Sequence, residues 1–180
     1  MEIKTRIELA RHFKSLGFTK GAEIGVSTGN YSICLFTEIP GLTLLCVDTW
    51  MKYHGIGRSH SNQRQNRHYK EAIQRLKGYD AVFMRMKSME AVKQIPDGSL
   101  DFVFIDANHQ YEFVLEDIRE WSKKVRPGGI VSGHDYYNFH KSGIIEAVAT
   151  YIHDNPFIEL NLTTTHEPPD ESICFWWVKP

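Results

Sequence analysis

Two short stretches of the chain place a carboxylate and an imidazole where an apolar run ends. In "FIDANHQYEFVLEDI", Phe104 to Ile118, Asp106 and His109 stand three residues apart, between a strand-like run and a helical pattern. In "GHDY", Gly133 to Tyr136, His134 and Asp135 are adjacent and follow a second apolar run. Such residues can ligate a divalent cation, take a proton as a general base, or cap the next helix. A third stretch, "EIGVSTGNYS", carries Glu23, Gly25, Ser27 and Gly29. Its two glycines permit close backbone approach of a ligand, although Ser27 stands where a dinucleotide fingerprint has its second glycine. Asp48 ends the next apolar run, 23 residues beyond Gly25. That is near the offset of about 20 at which an acid reaches a ribose diol. The plain alternatives are a simple strand-to-helix turn and an exposed strand-end acid.

Composition restricts the chemistry these residues can serve. A chain of 180 residues suits a single domain, taken here as 1–180. Its net charge of −1 shows no overall basic excess, which points to a small-molecule acceptor and away from nucleic acid, with local basic patches left open. Three cysteines in apolar surroundings, with no CxxC, argue against a disulfide framework or structural zinc. The start "MEIKTRIELARHF" is too charged for a signal peptide. No apolar run approaches the roughly 20 residues of a membrane span. The expectation is a cytoplasmic protein without membrane contact.

The elements that must position the candidate residues alternate. Residues 5–16 read as a helix that covers the fold from the first 20 residues; Thr5 and Glu8 form a capping-box pattern, and Gly17 can close its end. Strands are expected at 22–26, 42–48, 81–86, 100–106 and 130–135, with helices near 30–38, 67–77, 89–95, 110–125 and 142–153. The helix after Asp106 buries Tyr111, Val114, Leu115, Ile118, Trp121 and Val125, and Asp117 falls off that stripe as a solvated acid. Residues 49–66, with His54, Arg58 and His60, read as a polar, mobile loop, either one able to close over a ligand or a plain solvated surface loop. Two final strands, joined by "THEPPDE", pair antiparallel, and "FWW" sends one indole inward and the next outward, against a helix or a subunit contact; a homo-oligomer stays open. The alternation indicates an α/β protein, a mainly parallel sheet with helices on both faces.

Glu23, Gly25 and Gly29, followed by Asp48 and by "VRPGG" before the fifth strand, resemble the cofactor site of class I methyltransferases that use S-adenosylmethionine. The resemblance implies a Rossmann-like, doubly wound, seven-stranded sheet of order 3-2-1-4-5-7-6 with the last strand antiparallel. It implies that Glu23 lies near the methionine end of the cofactor, that the turn with Ser27 admits that end, and that Asp48 holds the ribose. Met86, Lys87 and Ser88 would border the adenine, and Trp50 would pack near the adenosine. Elementary chemistry agrees in one respect. An acid in the turn suits a ligand carrying a sulfonium and an ammonium better than a pyrophosphate, which seeks bare helix N–H groups.

In the strand order that the family would have, Asp106 and Asp135 end neighbouring strands, with His134 adjacent and His109 at the mouth of the next helix. Converging oxygen and nitrogen donors can hold Mg²⁺ or Mn²⁺, with imidazole tilting the preference towards a transition metal. An alcohol is a poor nucleophile until it loses its proton. A cation lowers the pKa of a bound hydroxyl and an imidazole can accept the proton, so the set suits O-methylation. "FIDANHQYEFVLEDIREW" and "GGIVSGHDY" are similar to the macrocin O-methyltransferase group, which methylates sugar hydroxyls. That resemblance makes Asp106 and Asp135 metal ligands, with Asp106 also beside the cofactor's methionine end, and His109 the base. His134 departs from the group, where some relatives have a carboxylate. Tyr136, Tyr137, Phe139 and His140 can line the acceptor pocket or simply pack. Two other readings are a cofactor-binding protein without transferase activity and a metal-dependent hydrolase. The hydrolase rests on the likeness of "GHD" to the "GNHD" of dinuclear phosphoesterases, whose D-x-H pair the first strand lacks.

Overall fold

The computed structural model describes residues 2–55, 58–137, 142–164 and 173–180, with the backbone alone described over 53–55 and 58–60. Among them the chain runs α1 (Arg6–Ser15), β1 (Lys20–Ile24), α2 (Asn30–Glu38), β2 (Thr43–Asp48), β3 (Tyr53–Gly55), β4 (Arg58–His60) and α3 (Asn62–Arg75). Then follow β5 (Asp80–Arg85), the short α4 (Ser88–Ala91) with a 3-10 turn (Val92–Gln94), β6 (Leu100–Ile105), α5 (Tyr111–Lys124) and β7 (Val125–Gly133). The chain ends with α6 (Ile144–Asp154), β8 (Asn161–Leu162) and β9 (Phe175–Val178).

Seven strands form one sheet in the order β5-β2-β1-β6-β7-β9-β8. The first five are parallel and β9 is antiparallel to both its neighbours. This is the 3-2-1-4-5-7-6 order expected. The strands are apolar on both faces because both faces are covered. Leu9 and Phe13 of α1, Leu35 of α2, and Ala72 with the Leu76 that ends α3 pack on one side with Leu44, Phe102 and Phe104. Ala91 of α4, Ile118 and Trp121 of α5 and Ala147 and Val148 of α6 pack on the other, with Ile24, Val103 and Val131. The terminal aromatic strand serves both cores: Trp177 stacks on Tyr151 with centroids 5.5 Å apart, and Trp176 faces His12 of α1 at 5.6 Å. The outward ring therefore covers a helix. Among the described residues no helix is long and apolar enough to cross a membrane.

Local chemistry explains most boundaries. Thr5 Oγ1 accepts from the Glu8 N–H at 3.2 Å, and Glu8 reaches back to the Lys4 N–H at 2.7 Å, so α1 begins with the expected cap shifted by one residue. Residues 49–66 differ from expectation. They carry a backbone hairpin, β3 against β4, and the first turn of α3. Helix α3 starts at Asn62 and not near 67, because Ser61 Oγ accepts from the Arg64 N–H at 3.2 Å. Strand β7 also begins earlier than expected, at Val125; its pairing with β6 slips between Leu100 and Phe102, where "RPGG" bulges out.

Candidate functional site

The carboxyl ends of β1, β2, β6 and β7 form one edge of the sheet, and the candidate residues gather there. Gly25 follows β1 with φ +98°. Its N–H donates to Val47 O at 2.8 Å, and a Cβ at this position would collide with the backbone of Asp106 and Ala107. Only glycine lets the ends of β1 and β6 approach this closely. Gly29, φ +79°, starts α2 without a side-chain cap. Three non-glycine residues also have positive φ: Ser27 at 51°, Trp50 at 43° and Asp135 at 57°. All three lie just past strands of this edge, after β1, β2 and β7. Such backbones cost on the order of 1–2 kcal/mol each, and they collect where function imposes a geometry.

Glu23 is buried on β1, 2% exposed, and accepts from the Ser32 hydroxyl of α2. Burial pushes its carboxyl up to about 8, against the Ser32 hydrogen bond, and the charge of Asp106 adds to the rise. An acid held largely neutral beside a crevice is ready to ionise for a cationic ligand. Asp48 is held by the turns themselves. Its Oδ2 accepts from the Ser27 N–H and its Oδ1 from the Trp50 N–H, each at 2.8 Å. Burial raises its pKa while those donors pull it down, and the net shift is upward. Each carboxylate oxygen keeps acceptor capacity for a further hydroxyl.

Trp50 differs from its expected role. Its indole is fully buried, donates to Ser27 O at 2.7 Å and packs on Tyr69 at 4.7 Å and Phe83 at 6.1 Å. It supports the first turn from below and has no surface to offer an adenosine. Ser88 is likewise occupied: its hydroxyl donates to Asp117 and accepts from Trp121 Nε1–H at 2.7 Å. Lys87 lies exposed at the start of α4, and the Met86 N–H donates to Asp48 O at 3.1 Å, so this loop sits beside the second-strand acid. Asp117 is 4% exposed, not solvated, and burial pushes its carboxyl up to about 7. Its spacing of four residues before Trp121 was the available signal, masked by its charge.

The second half of the site is a cluster of four side chains just past the ends of β6 and β7. His109 Nε2 lies 3.6 Å from Asp106 Oδ1 and 3.3 Å from Asp135 Oδ2. His134 Nδ1 lies 3.1 Å from Asp135 Oδ1 and 3.8 Å from Asp106 Oδ2. One ligand atom each from Asp106, His134 and Asp135 falls within 4.8 Å of the others, a spacing that can hold a cation. Strand pairing sets this up: Asp106 N–H donates to Ile24 O at 2.7 Å, and His134 N–H to Ile105 O at 3.0 Å. The His109 carbonyl accepts from the Gly143 N–H at 2.8 Å, which ties the turn to α6. Burial works against protonation of His109, but Asp106 and then Asp135 outweigh it and raise its pKa. Of the aromatic residues expected nearby, Tyr136 is half-buried against Phe175 and Tyr137 is exposed. Phe139 and His140 lie outside the described residues.

Sequence reasoning did not find the wall over the first turn. His68 Nδ1 lies 3.3 Å from Ser27 Oγ, Arg75 donates to Thr28 O, and Ala72 and Leu76 lie against Gly29. All fall within the helix expected near 67–77, but nothing in their types or spacing assigned them to this turn.

A family model described as a methyltransferase domain matches residues 22–136, well over half of the chain. No curated protein matches the sequence. Among solved structures, an O-methyltransferase from Bacillus cereus in complex with SAH superposes with a TM-score of 0.72 at 15% identity, over 97% of this chain and 80% of that one. A rRNA methylase from Streptococcus thermophilus gives 0.68 at 14% identity, over 99% of both chains. The N-methyltransferase NodS from Bradyrhizobium japonicum gives 0.64 at 14%, over 97% and 94%. At these identities the likeness shows the fold, and the three differ in what they methylate.

Proposed function

Since this chain belongs to the family of methyltransferase domains, we propose that it transfers a methyl group from S-adenosylmethionine to a hydroxyl of a small molecule or sugar, assisted by a divalent cation. The observation that carries the reading is the convergence of Asp106, His109, His134 and Asp135 on adjacent strand ends beside the Gly25 turn. The cofactor half fits its ligand. Glu23 would face the cationic methionine end directly or through water, Asp48 has lone pairs left for ribose hydroxyls, and the Lys87–Ser88 backbone would border the base. The cofactor supplies a methyl group on a sulfonium. The SAH carried by the Bacillus cereus structure supports this choice.

The acceptor half fits a cation. Asp106, His134 and Asp135 would hold Mn²⁺ or Mg²⁺, and such a cation would supply Lewis-acid chemistry to an acceptor hydroxyl. His109, held by Asp106 and Asp135, would take the hydroxyl proton. The sugar hydroxyl is the acceptor favoured by the likeness to the macrocin O-methyltransferase group. A second reading has its own observation: with His109 Nε2 within 3.3 Å of Asp135, the acid–imidazole pair can act without a metal.

Calorimetry with S-adenosylhomocysteine tests the first half, and absence of binding at millimolar ligand removes the cofactor reading. Methyl transfer to a panel of hydroxyl acceptors, with and without Mn²⁺, tests the second. Turnover that survives His109→Ala undiminished excludes it as the base.

A further inference from the structure

The net charge of −1 conceals a strong separation. Between Lys52 and Lys87 lie nine of the chain's 21 Lys and Arg but only two of its 22 Asp and Glu. That fifth of the sequence carries an excess of seven positive charges, and the remainder carries eight negative ones. Most of the cations stand on or beside α3. At 100° per residue, Arg64, Arg67, Lys70 and Arg75 fall in one arc of about 140° opposite the packed face of Gln65, Ala72 and Leu76. All four are exposed, as are Lys52, Lys77, Arg85 and Lys87. Among the described residues only Arg67 meets a carboxylate, Glu71, at 3.8 Å. The contacts of Arg75 and Arg85 go to neutral groups, Thr28 O, Trp50 O and Asn66, so their charge is not cancelled.

The position matters as much as the charge. Helix α3 rests on the loops after β1 and β2, through His68 on Ser27, Arg75 on Thr28 and Tyr69 on Trp50. Its outer face is thus a basic wall at the lip of the crevice. From Arg64 to Arg75 the row is about 17 Å long at 1.5 Å per residue. A diphosphate would occupy one end of it; a phosphate backbone, with a charge about every 3.4 Å of helix axis, would follow its length. The acidic remainder of the surface repels the same polymer and orients its approach.

We propose that the outer face of α3, with Lys52, Lys77, Arg85 and Lys87 around it, binds the phosphate backbone of RNA and delivers one of its sugar hydroxyls to the crevice. The choice of RNA over DNA rests on the hydroxyl-methylating reading above, because the ribose 2′-hydroxyl is the group that DNA lacks.

The test is fluorescence anisotropy of the full chain with a labelled mixed-sequence 16-nucleotide RNA hairpin, alongside calorimetry with S-adenosylhomocysteine. Lys70→Glu/Lys77→Glu removes exposed cations that make no described contact with the crevice. It should weaken RNA binding at least tenfold and shorten the salt slope by about two, with S-adenosylhomocysteine affinity unchanged. Lys14→Glu/Lys93→Glu, the same charge change elsewhere, should weaken it less than threefold. Intact S-adenosylhomocysteine binding with no RNA binding in low salt would overturn the proposal and leave the methyltransferase reading standing. Equal weakening by both double variants would overturn it too. So would displacement of the RNA by a nucleoside diphosphate or by polyglutamate at equal charge, pointing to a small phosphate or an acidic protein. Loss of S-adenosylhomocysteine binding in the wild type would instead remove the reading on which the choice of RNA rests.

Discussion

Glu23→Gln should make the fold more stable and the cofactor site worse. Glu23 is 2% exposed, and burial lifts its carboxyl from 4.5 to about 8. A raised carboxyl pKa means the folded state holds a proton that the unfolded state has released. Its contribution to stability is fully present below about pH 4.5 and is lost as pH rises through about 8. At about 1.4 kcal/mol per pKa unit the whole loss is on the order of 5 kcal/mol. Gln keeps an oxygen for the Ser32 hydroxyl and has no charge to bury, so denaturation of the variant should lack this fall. A ligand ammonium reverses the balance, because a positive charge within one water of Glu23 favours the ionised form. If S-adenosylhomocysteine binds the ionised site, its affinity should rise roughly fiftyfold from pH 6 to pH 8, then level off, for a pKa of about 8. At pH 7 binding should release about 0.9 proton, readable by calorimetry in buffers of different ionisation enthalpy. In Glu23→Gln the affinity should be lower at pH 8 and nearly flat over this range. A wild-type affinity that does not change with pH, or a variant with the same rise, refutes the assignment of Glu23 to a cationic ligand.

The other predictions concern separate parts of the site and its frame. Asp106→Ala and Asp135→Ala should each abolish Mn²⁺ binding by electron paramagnetic resonance titration while Asp135→Ala keeps S-adenosylhomocysteine affinity within about threefold, since Asp135 sits on the acceptor side. Gly25→Ala should cost at least ~2 kcal/mol in urea denaturation and abolish cofactor binding, because φ +98° and the Asp106 backbone leave no place for a methyl group. Asp117→Asn should remove a second fall of stability with pH. Asp117 is raised by burial to about 7, so its contribution is lost between about pH 4 and 7, a change on the order of 4 kcal/mol. Asn still accepts from Ser88, so S-adenosylhomocysteine binding should be unchanged.

The parallel sheet was legible because its strands are buried on both faces and therefore stand out as apolar runs between polar segments. Asp48, Asp106 and Asp135 were legible as the acids at which those runs stop. The first turn of α3 was hidden for the opposite reason. The helix "NQRQNRHYKEAIQR" buries little besides Gln65 and Ala72, so no apolar stripe carries it back from 67 to its start, which only the Ser61 cap marks. His68 and Arg75 fell inside the expected helix, but their contacts with Ser27 and Thr28 depend on how that helix packs and leave no local signal. Trp50 shows the limit of position along the chain. It follows the ribose acid in sequence, but φ +43° turns its indole back under the first loop. Asp117 shows that a charge on a helix is not proof of exposure when a serine and an indole from neighbouring turns complete its surroundings.

The features that break local rules share one location. Ser27, Trp50 and Asp135 adopt backbones that residues with a Cβ avoid, and they follow β1, β2 and β7. Glu23 and Asp48 are acids whose burial opposes their charge, and they lie at the ends of β1 and β2. Asp106 and Asp135 bring two carboxylates to the ends of β6 and β7, relieved by two imidazoles. Each of these is unfavourable to folding, and the two well-packed cores on either side of the sheet offset the cost. Asp117 is the exception that tests the argument, being a buried acid away from this edge. It is paired by Ser88 within the framework behind the site and needs no ligand. Strain and buried charge concentrated at one sheet edge set that edge apart on physical grounds, independently of any likeness to known proteins.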